Sequence, residues 1–325
     1  MMFPIDEKLK IGIQTIHREP DDQNGPWLPK IDELVDFDQL VDKSGFDSLW
    51  VGDHLSMPLP FFDPFQQLAQ AAVASRRLLL GTSVYLLPLR HPGPVAKQAI
   101  TLDHLSEGRL LFGVGIGGEF PKEYEVAGVP MNERGARLSE SIEVMRELWS
   151  GEPASYNGKF FTFSEVLMTP PPRQEGGPPI RCGGRKEAAF KRMGRLADGY
   201  VSYVVTPEMY KDALVKIEQA ANEANRKLNN FGTGHLIFTR VDDNYETALE
   251  TATSSLSKRY AMDFRRAAER YAALGNPEDV AANNKEFHEG GDRHIIVDLV
   301  GPYENRFQQI ERFSAEVMPL LAALR

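Results

Sequence analysis

The sequence predicts an α/β protein, a (β/α)8 TIM barrel with insertions, and three observations lead there. The stretch Leu78 to Gly118, LLLGTSVYLLPLRHPGPVAKQAITLDHLSEGRLLFGVGIGG, sets one amphipathic helix between two apolar strand-like runs, each ending in a glycine-rich or proline-bounded turn. That is a βαβ unit, and its strands must be parallel. Strand candidates alternating with helices number eight along the chain, and that even count closes more economically as a barrel than as an open doubly wound sheet. The length, 325 residues, suits a barrel of ~250 residues plus insertions. No linker-like stretch or low-complexity tract divides the chain, so residues 1–325 are expected to form one domain.

The elements follow in order. Lys10 to Gln14 is a short first strand, and a polar loop runs on through Pro29. Ile31 to Lys43 repeats apolar residues at a helical period and stops at Ser44-Gly45. Ser48 to Gly52 is the second strand and ends in Asp53-His54. A Pro/Phe-rich loop, Leu55 to Phe65, leads to a helix from Gln66 to Ser75. Leu78 to Leu87 is the third strand, Pro94 to Leu105 a helix, and Arg109 to Val114 the fourth strand. The largest insertion lies between strands four and five. It holds a helix over Asn132 to Trp149, with Leu138, Ile142, Met145 and Leu148 on its apolar side. It also holds a hairpin around Asn157-Gly158. Strand five is Ile180 to Cys182, followed by Gly183-Gly184 and a helix from Lys186 to Leu196. Strand six is Gly199 to Val204, before a helix from Pro207 to Leu228. Strand seven is His235 to Val241, two helical stretches fill Tyr245 to Phe287, strand eight is His294 to Val300, and Phe307 to Leu324 is a closing helix.

Composition narrows the function. The formal net charge is -9, and an acidic surface repels nucleic-acid phosphates and anionic membranes, so neither is expected as a partner. The N-terminal MMFPIDEKLK lacks a signal-peptide core, and no run approaches the ~20 apolar residues of a membrane span. The one cysteine, Cys182, makes neither an internal disulfide nor a thiolate-rich metal site. A reducing, cytoplasmic location is the expectation.

Parallel strands put function at their C-terminal ends. Gly113-x-Gly115-x-x-Gly118 formally matches a dinucleotide fingerprint, but Glu119-Phe120-Pro121 follows it instead of a long apolar helix. Gly115 and Gly117 are better read as keeping the strand end low, so that a flat ring or a phosphate can approach the backbone; the alternative is a tight turn without a ligand. His54, at the end of strand two, is placed for acid/base work, or else it caps the next loop. Gly183-Gly184-Arg185-Lys186 at a helix start forms an anion site, or else carries two solvated cations. His17, His91, His104, His235, His288 and His294 show no metal-binding spacing. No GxSxG elbow is present.

These residues, taken in order, resemble the bacterial luciferase-like monooxygenases, a superfamily of flavin- and deazaflavin-dependent enzymes. The resemblance is carried by Gly45-Phe46-Asp47-Ser48-Leu49-Trp50-Val51-Gly52-Asp53-His54, by Gly81 to Pro88, by His91-Pro92, and by Leu102 to Arg109. It continues through Phe112 to Gly115, Pro179 to Gly184 and Leu196 to Val201. It implies the barrel with a cofactor at its C-terminal end. It implies His54 as the catalytic histidine, with Asp53 beside it at the cofactor, and a non-prolyl cis peptide at Ser83-Val84 behind the ring. Gly183 and Gly184 resemble the phosphate loop, with Arg185 and Lys186 completing it. At Ile116 luciferase carries an arginine, so the phosphate duty shifts to Arg185 and Lys186.

The leading expectation is then an FMN-dependent two-component monooxygenase, which receives reduced FMN from a partner reductase and uses O2 on a small organic substrate. The second is an F420-dependent dehydrogenase or reductase that transfers hydride. A non-catalytic flavin-binding protein is the third, and His54 speaks against it. The resemblance also implies a homo-oligomer. Specificity is expected in loops such as Leu55 to Phe65 and Val204 to Met209, which carry no cationic cluster that would demand a sulfonate or a carboxylate.

Overall fold

In the computed structural model, residues 3–15, 17 and 28–325 are described, and most of the polar loop expected before Pro29 lies outside them. Eight parallel strands close into a barrel: β1 (Lys10–Gln14), β2 (Ser48–Val51), β3 (Leu79–Thr82), β4 (Leu110–Val114), β7 (Ile180–Gly183), β8 (Gly199–Tyr203), β9 (Gly232–Val241) and β11 (His294–Leu299). Hydrogen bonding runs β9-β11-β1-β2-β3-β4-β7-β8, and β8 pairs back onto β9 to close the ring. Strands that are all parallel bring all their C-terminal ends to one mouth.

The lumen is filled. Trp50, Leu111, Val201, Leu236 and Ile296 pack across it. Beneath them, Trp50 Nε1 donates to Ser48 Oγ (2.7 Å), and Ser48 Oγ lies 2.6 Å from His294 Nε2. Chemistry is therefore confined to the mouth. The helices α1 (Ile31–Lys43), α2 (Pro64–Ala74), α3 (Pro92–Leu105), α6 (Glu187–Leu196), α7 (Pro207–Glu223) and α10 (Pro277–Glu289) follow strands in turn.

The longest connection, residues 115–179, separates β4 from β7, the barrel's fourth and fifth strands. It contains α4 (Pro121–Val126), α5 (Arg134–Leu148) and the hairpin β5 (Ala154–Asn157) and β6 (Thr162–Val166). Leu138, Ile142, Met145 and Leu148 are buried on α5. Glu140 of the same helix accepts the Phe160 and Phe161 amides (2.8 and 2.9 Å), which pins the hairpin turn to the barrel wall.

Three expected elements differ. The third strand ends at Thr82: Ser83 N–H still donates to Val51 O (2.8 Å), and beyond the cis peptide Tyr85 N–H donates to Gly113 O (2.8 Å). The segment after β9 holds α8 (Tyr245–Tyr260), α9 (Arg265–Tyr271) and a short strand, β10 (Ala273–Gly275), before α10. β10 exists because β9 runs past its barrel partners and offers Thr239 to Val241 a free edge. The closing helix breaks into α11 (Arg306–Arg312), a wide turn at Phe313–Val317 and a tighter one at Met318–Leu324. Pro319 has no N–H to continue an α-helical ladder there.

Candidate active site

The end of β2 sends two adjacent residues to different tasks. Asp53 is buried, and its carboxylate is spent inside the fold. It accepts both Arg90 Nη groups (2.6 and 2.9 Å) and the Leu86 amide (2.8 Å). It thereby ties β2 to the turn that follows β3, while Arg90 covers the Tyr85 ring at 4.4 Å. Asp53 is expected from the sequence at the cofactor; with both oxygens occupied, it holds the mouth's frame.

His54 turns into the mouth. Its ring stands edge-on to Phe61 and Phe120, at 5.1 and 5.6 Å between centroids. Nδ1 lies 3.1 and 3.3 Å from the two carboxylate oxygens of Glu123. The Glu123 side chain is fully buried and also accepts the Leu55 and Ser56 amides (2.7 and 3.2 Å). Burial alone would raise its pKa, but the His54 hydrogen bond and charge and the two amides outweigh it, and the net shift is downward. An ionised Glu123 can only accept, so it fixes the proton on His54 Nδ1 and leaves Nε2 as the free acceptor. Glu123 sits on α4, and no sequence signal singled it out.

A second cluster forms around one side chain. The Ser83–Val84 peptide is cis, as the resemblance implies. Ser83 Oγ donates to Gln14 Oε1 (2.7 Å). Val84 lies over Gly115 and Gly183, where an added Cβ would come within 2.4 and 3.2 Å of its methyl groups. Gly115 thus leaves room for Val84 at the end of β4, and Gly183 is a close fit against it at the end of β7. Gly117 has a positive φ of 56° and sits against Leu86. Gly184 has φ 140°, a conformation side chains rarely adopt.

Just beyond Gly184, α6 starts at Glu187. Its N-cap Lys186 makes no side-chain capping bond, so the first-turn amides have no side-chain acceptor there. Arg185 and Lys186 are both exposed, and Arg185 Nη1 donates to Val204 O (3.2 Å). Ser83, Val84, Gly115 and Gly183 are therefore brought together, with Gly184, Arg185 and Lys186 leading outward from them.

His17 was outside every sequence motif, yet its ring lies 4.4 Å from that of Phe61. Burial, then the charges of Arg259 and His54, push its pKa well below the ordinary histidine value, so it is neutral near pH 7. Cys182 is buried, and burial pushes its thiol up to about 12. Among the described residues no group of His, Cys, Asp or Glu is placed to hold a metal ion, and no helix is long and apolar enough to cross a membrane.

Comparison with known proteins adds four findings. The luciferase-like monooxygenase family profile matches residues 9–313. A relative from Microbacterium testaceum, named F420-dependent glucose-6-phosphate dehydrogenase, is 27% identical over 96% of this chain and 98% of its own. Among solved structures, monooxygenase RslO1 from Streptomyces bottropensis superposes with a TM-score of 0.82 at 25% identity, covering 96% of this chain and 99% of its own. An F420-dependent secondary alcohol dehydrogenase, bound to an F420-acetone adduct, superposes with a TM-score of 0.81 at 22% identity, covering 98% and 99%.

Proposed function

Given that the chain belongs to the luciferase-like monooxygenase family, we propose that it is an F420-dependent oxidoreductase that interconverts an alcohol and a carbonyl on a small organic substrate. This corrects the leading expectation of an FMN-dependent monooxygenase. The relative that aligns over nearly the whole chain is named as an F420-dependent dehydrogenase, and so reduced FMN, a partner reductase and O2 are set aside.

The His54–Glu123 pair carries the reading. Oxidising an alcohol breaks a C–H bond, with the electron pair leaving as hydride, and an O–H bond, whose proton needs a base. His54 Nε2 is the free acceptor at the mouth, and Glu123 stabilises the charge that the ring gains. In the reverse direction the same nitrogen returns the proton to the carbonyl oxygen. Phe61 and Phe120 hold the ring edge-on. A bound deazaflavin would supply the two-electron hydride acceptor and donor.

The residues present fit such a group. Gly184 keeps the rim low, α6 opens without a side-chain cap, and Arg185 and Lys186 are exposed beside it, which suits the phosphate of the cofactor tail. Val84, backed by Gly115 and Gly183, offers an apolar surface for a flat ring.

The test is a fluorescence titration with F420. The protein should bind F420 and not reduced FMN, and Arg185→Ala should weaken F420 by roughly 10-fold, since a charge-assisted hydrogen bond is worth ~1.5–3 kcal/mol and this one is partly solvated. Binding of reduced FMN with no binding of F420 would overturn the reading.

A further inference from the structure

Where β1, β9 and β11 end, a cleft of about 40 Å³ opens beside the mouth. One water needs ~10–15 Å³ of such space, so the cleft takes a single small polar group and not a ring. Three arginines line it: Arg240 on β9, Arg259 on α8 and Arg306 on α11. Each has one acid. Arg240 Nε lies 3.3 Å from Asp242, Arg259 Nη1 donates to Asp298 (2.6 Å), and Arg306 Nη2 donates to Glu33 (3.0 Å). Arg240 and Arg259 are only 7% and 8% exposed. Even so, Arg240 Nη1, Arg259 Nε and Arg306 Nε have no hydrogen-bond partner among the described residues. Buried donors are nearly always paired. Three spare donors around one cleft therefore call for an acceptor beyond the described residues.

The cleft is linked to the reactive centre by packed side chains. His17 and Gln14 line it as well. His17 packs on Phe61, which packs on His54. Gln14 accepts from Ser83 in the cofactor cluster. A group seated among the arginines thus belongs to a molecule whose other end reaches His54.

We propose that this cleft holds a carboxylate of the substrate, which makes the substrate class a hydroxy acid and its oxo acid. The proposal rests on the F420-dependent reading for the chemistry at His54. Charge selects the carboxylate. Three acids already balance three arginines, and Asp298 itself lines the cleft, so a phosphate dianion would meet repulsion that a single negative charge largely avoids. A carboxylate also offers two acceptor oxygens in the spacing that guanidinium N–H groups match.

Calorimetry on the cofactor-free protein tests this with lactate, methyl lactate and inorganic phosphate. Lactate should bind saturably, the ester and phosphate at least 10-fold more weakly by the loss of one charge-assisted contact. Arg240→Lys and Arg306→Gln should each weaken lactate about 10-fold or more by the same reasoning. The two variants guard each other, since Arg306 is less buried and tolerates replacement if Arg240→Lys fails to fold. Absence of lactate binding, equal binding of the ester, tighter binding of phosphate, or unchanged lactate affinity in the folded variants overturns the proposal. F420 affinity is titrated on the same samples. Loss of F420 binding with lactate binding retained would remove the redox reading and leave the carboxylate site standing; F420 binding without lactate binding would do the opposite.

Discussion

The two sides of the barrel mouth use charge in opposite ways. On the β2–β4 side the two buried carboxylates are fully engaged: Asp53 with Arg90 and Leu86, Glu123 with His54 and two amides. On the β9–β11 side the acids are engaged as well, but three arginines keep N–H groups without partners among the described residues. A closed set of hydrogen bonds holds a group in one place and one tautomer, which orients it for proton transfer. An open set is costly unless something fills it, which is the mark of a binding site. On the proposed reading, the chemistry lies on the first side and substrate recognition on the second.

Removing the base tests the first side hardest. His54→Ala should lower turnover by ~10²–10⁴-fold, the usual contribution of general acid–base catalysis, with F420 affinity nearly unchanged. Steady-state kinetics and a fluorescence titration on one variant give both numbers. Normal turnover would reduce His54 to a loop cap, and lost F420 binding would make it a binding residue.

A smaller effect is expected from the group behind it. Glu123→Gln keeps the shape and still accepts the Leu55 and Ser56 amides, but it removes the negative charge that stabilises protonated His54. We expect kcat to fall roughly 10-fold with KM little changed, because Glu123 positions His54 and does not touch substrate. Stability gives a second readout. Since the folded pKa of Glu123 is depressed, its contribution is present above the ordinary glutamate value of ~4.3 and is lost as pH falls through the folded value. The advantage of the wild type over Glu123→Gln in denaturant unfolding should shrink on acidification below about pH 4.3. A gap that widened there would show that Glu123 is not the ionised partner.

The sequence made these two sides unequally visible. His54, Ser83, Val84 and the Gly183-Gly184 turn lie at strand ends in one continuous stretch or in short motifs, and the alternation of strands and helices locates strand ends. The division between Asp53 and His54 was not legible, because β2 ends at Val51 and both residues lie in the turn beyond it. Glu123 escaped because α4 has only six residues, too few for a helical period to register. The arginine cleft escaped for a different reason. Arg240, Arg259 and Arg306 stand on three separate elements, and only Arg240 has its acid nearby in the sequence, since Asp298 and Glu33 lie 39 and 273 residues from the arginines they pair with. Loops expected to set specificity, Leu55 to Phe65 and Val204 to Met209, carry no such cluster. Only the closing of β9 and β11 against β1 brings the arginines to one place. β10 was missed for the same kind of reason, since three residues between two helices form a strand only because β9 overruns its neighbours.

His17 joins the two sides and provides the finest test of their contact. It lines the arginine cleft, packs on Phe61, and is held neutral by burial, with Arg259 and His54 adding to the effect. Its folded pKa therefore lies well below the unfolded value of ~6.5. At pH 7.5 the side chain is neutral in both states, so the stability difference between wild type and His17→Gln reports packing alone. As pH falls below about 6.5, the unfolded chain takes up a proton that the folded protein refuses, and the wild type loses stability that the variant keeps. By pH 5.5 the difference should have moved against the wild type by up to about 1.4 kcal/mol, one pKa unit's worth. Denaturant titrations of both proteins at the two pH values measure it. A difference that stays constant would place His17 in water, free to titrate normally, and would break the physical link between the proton-transfer side of the mouth and the carboxylate cleft.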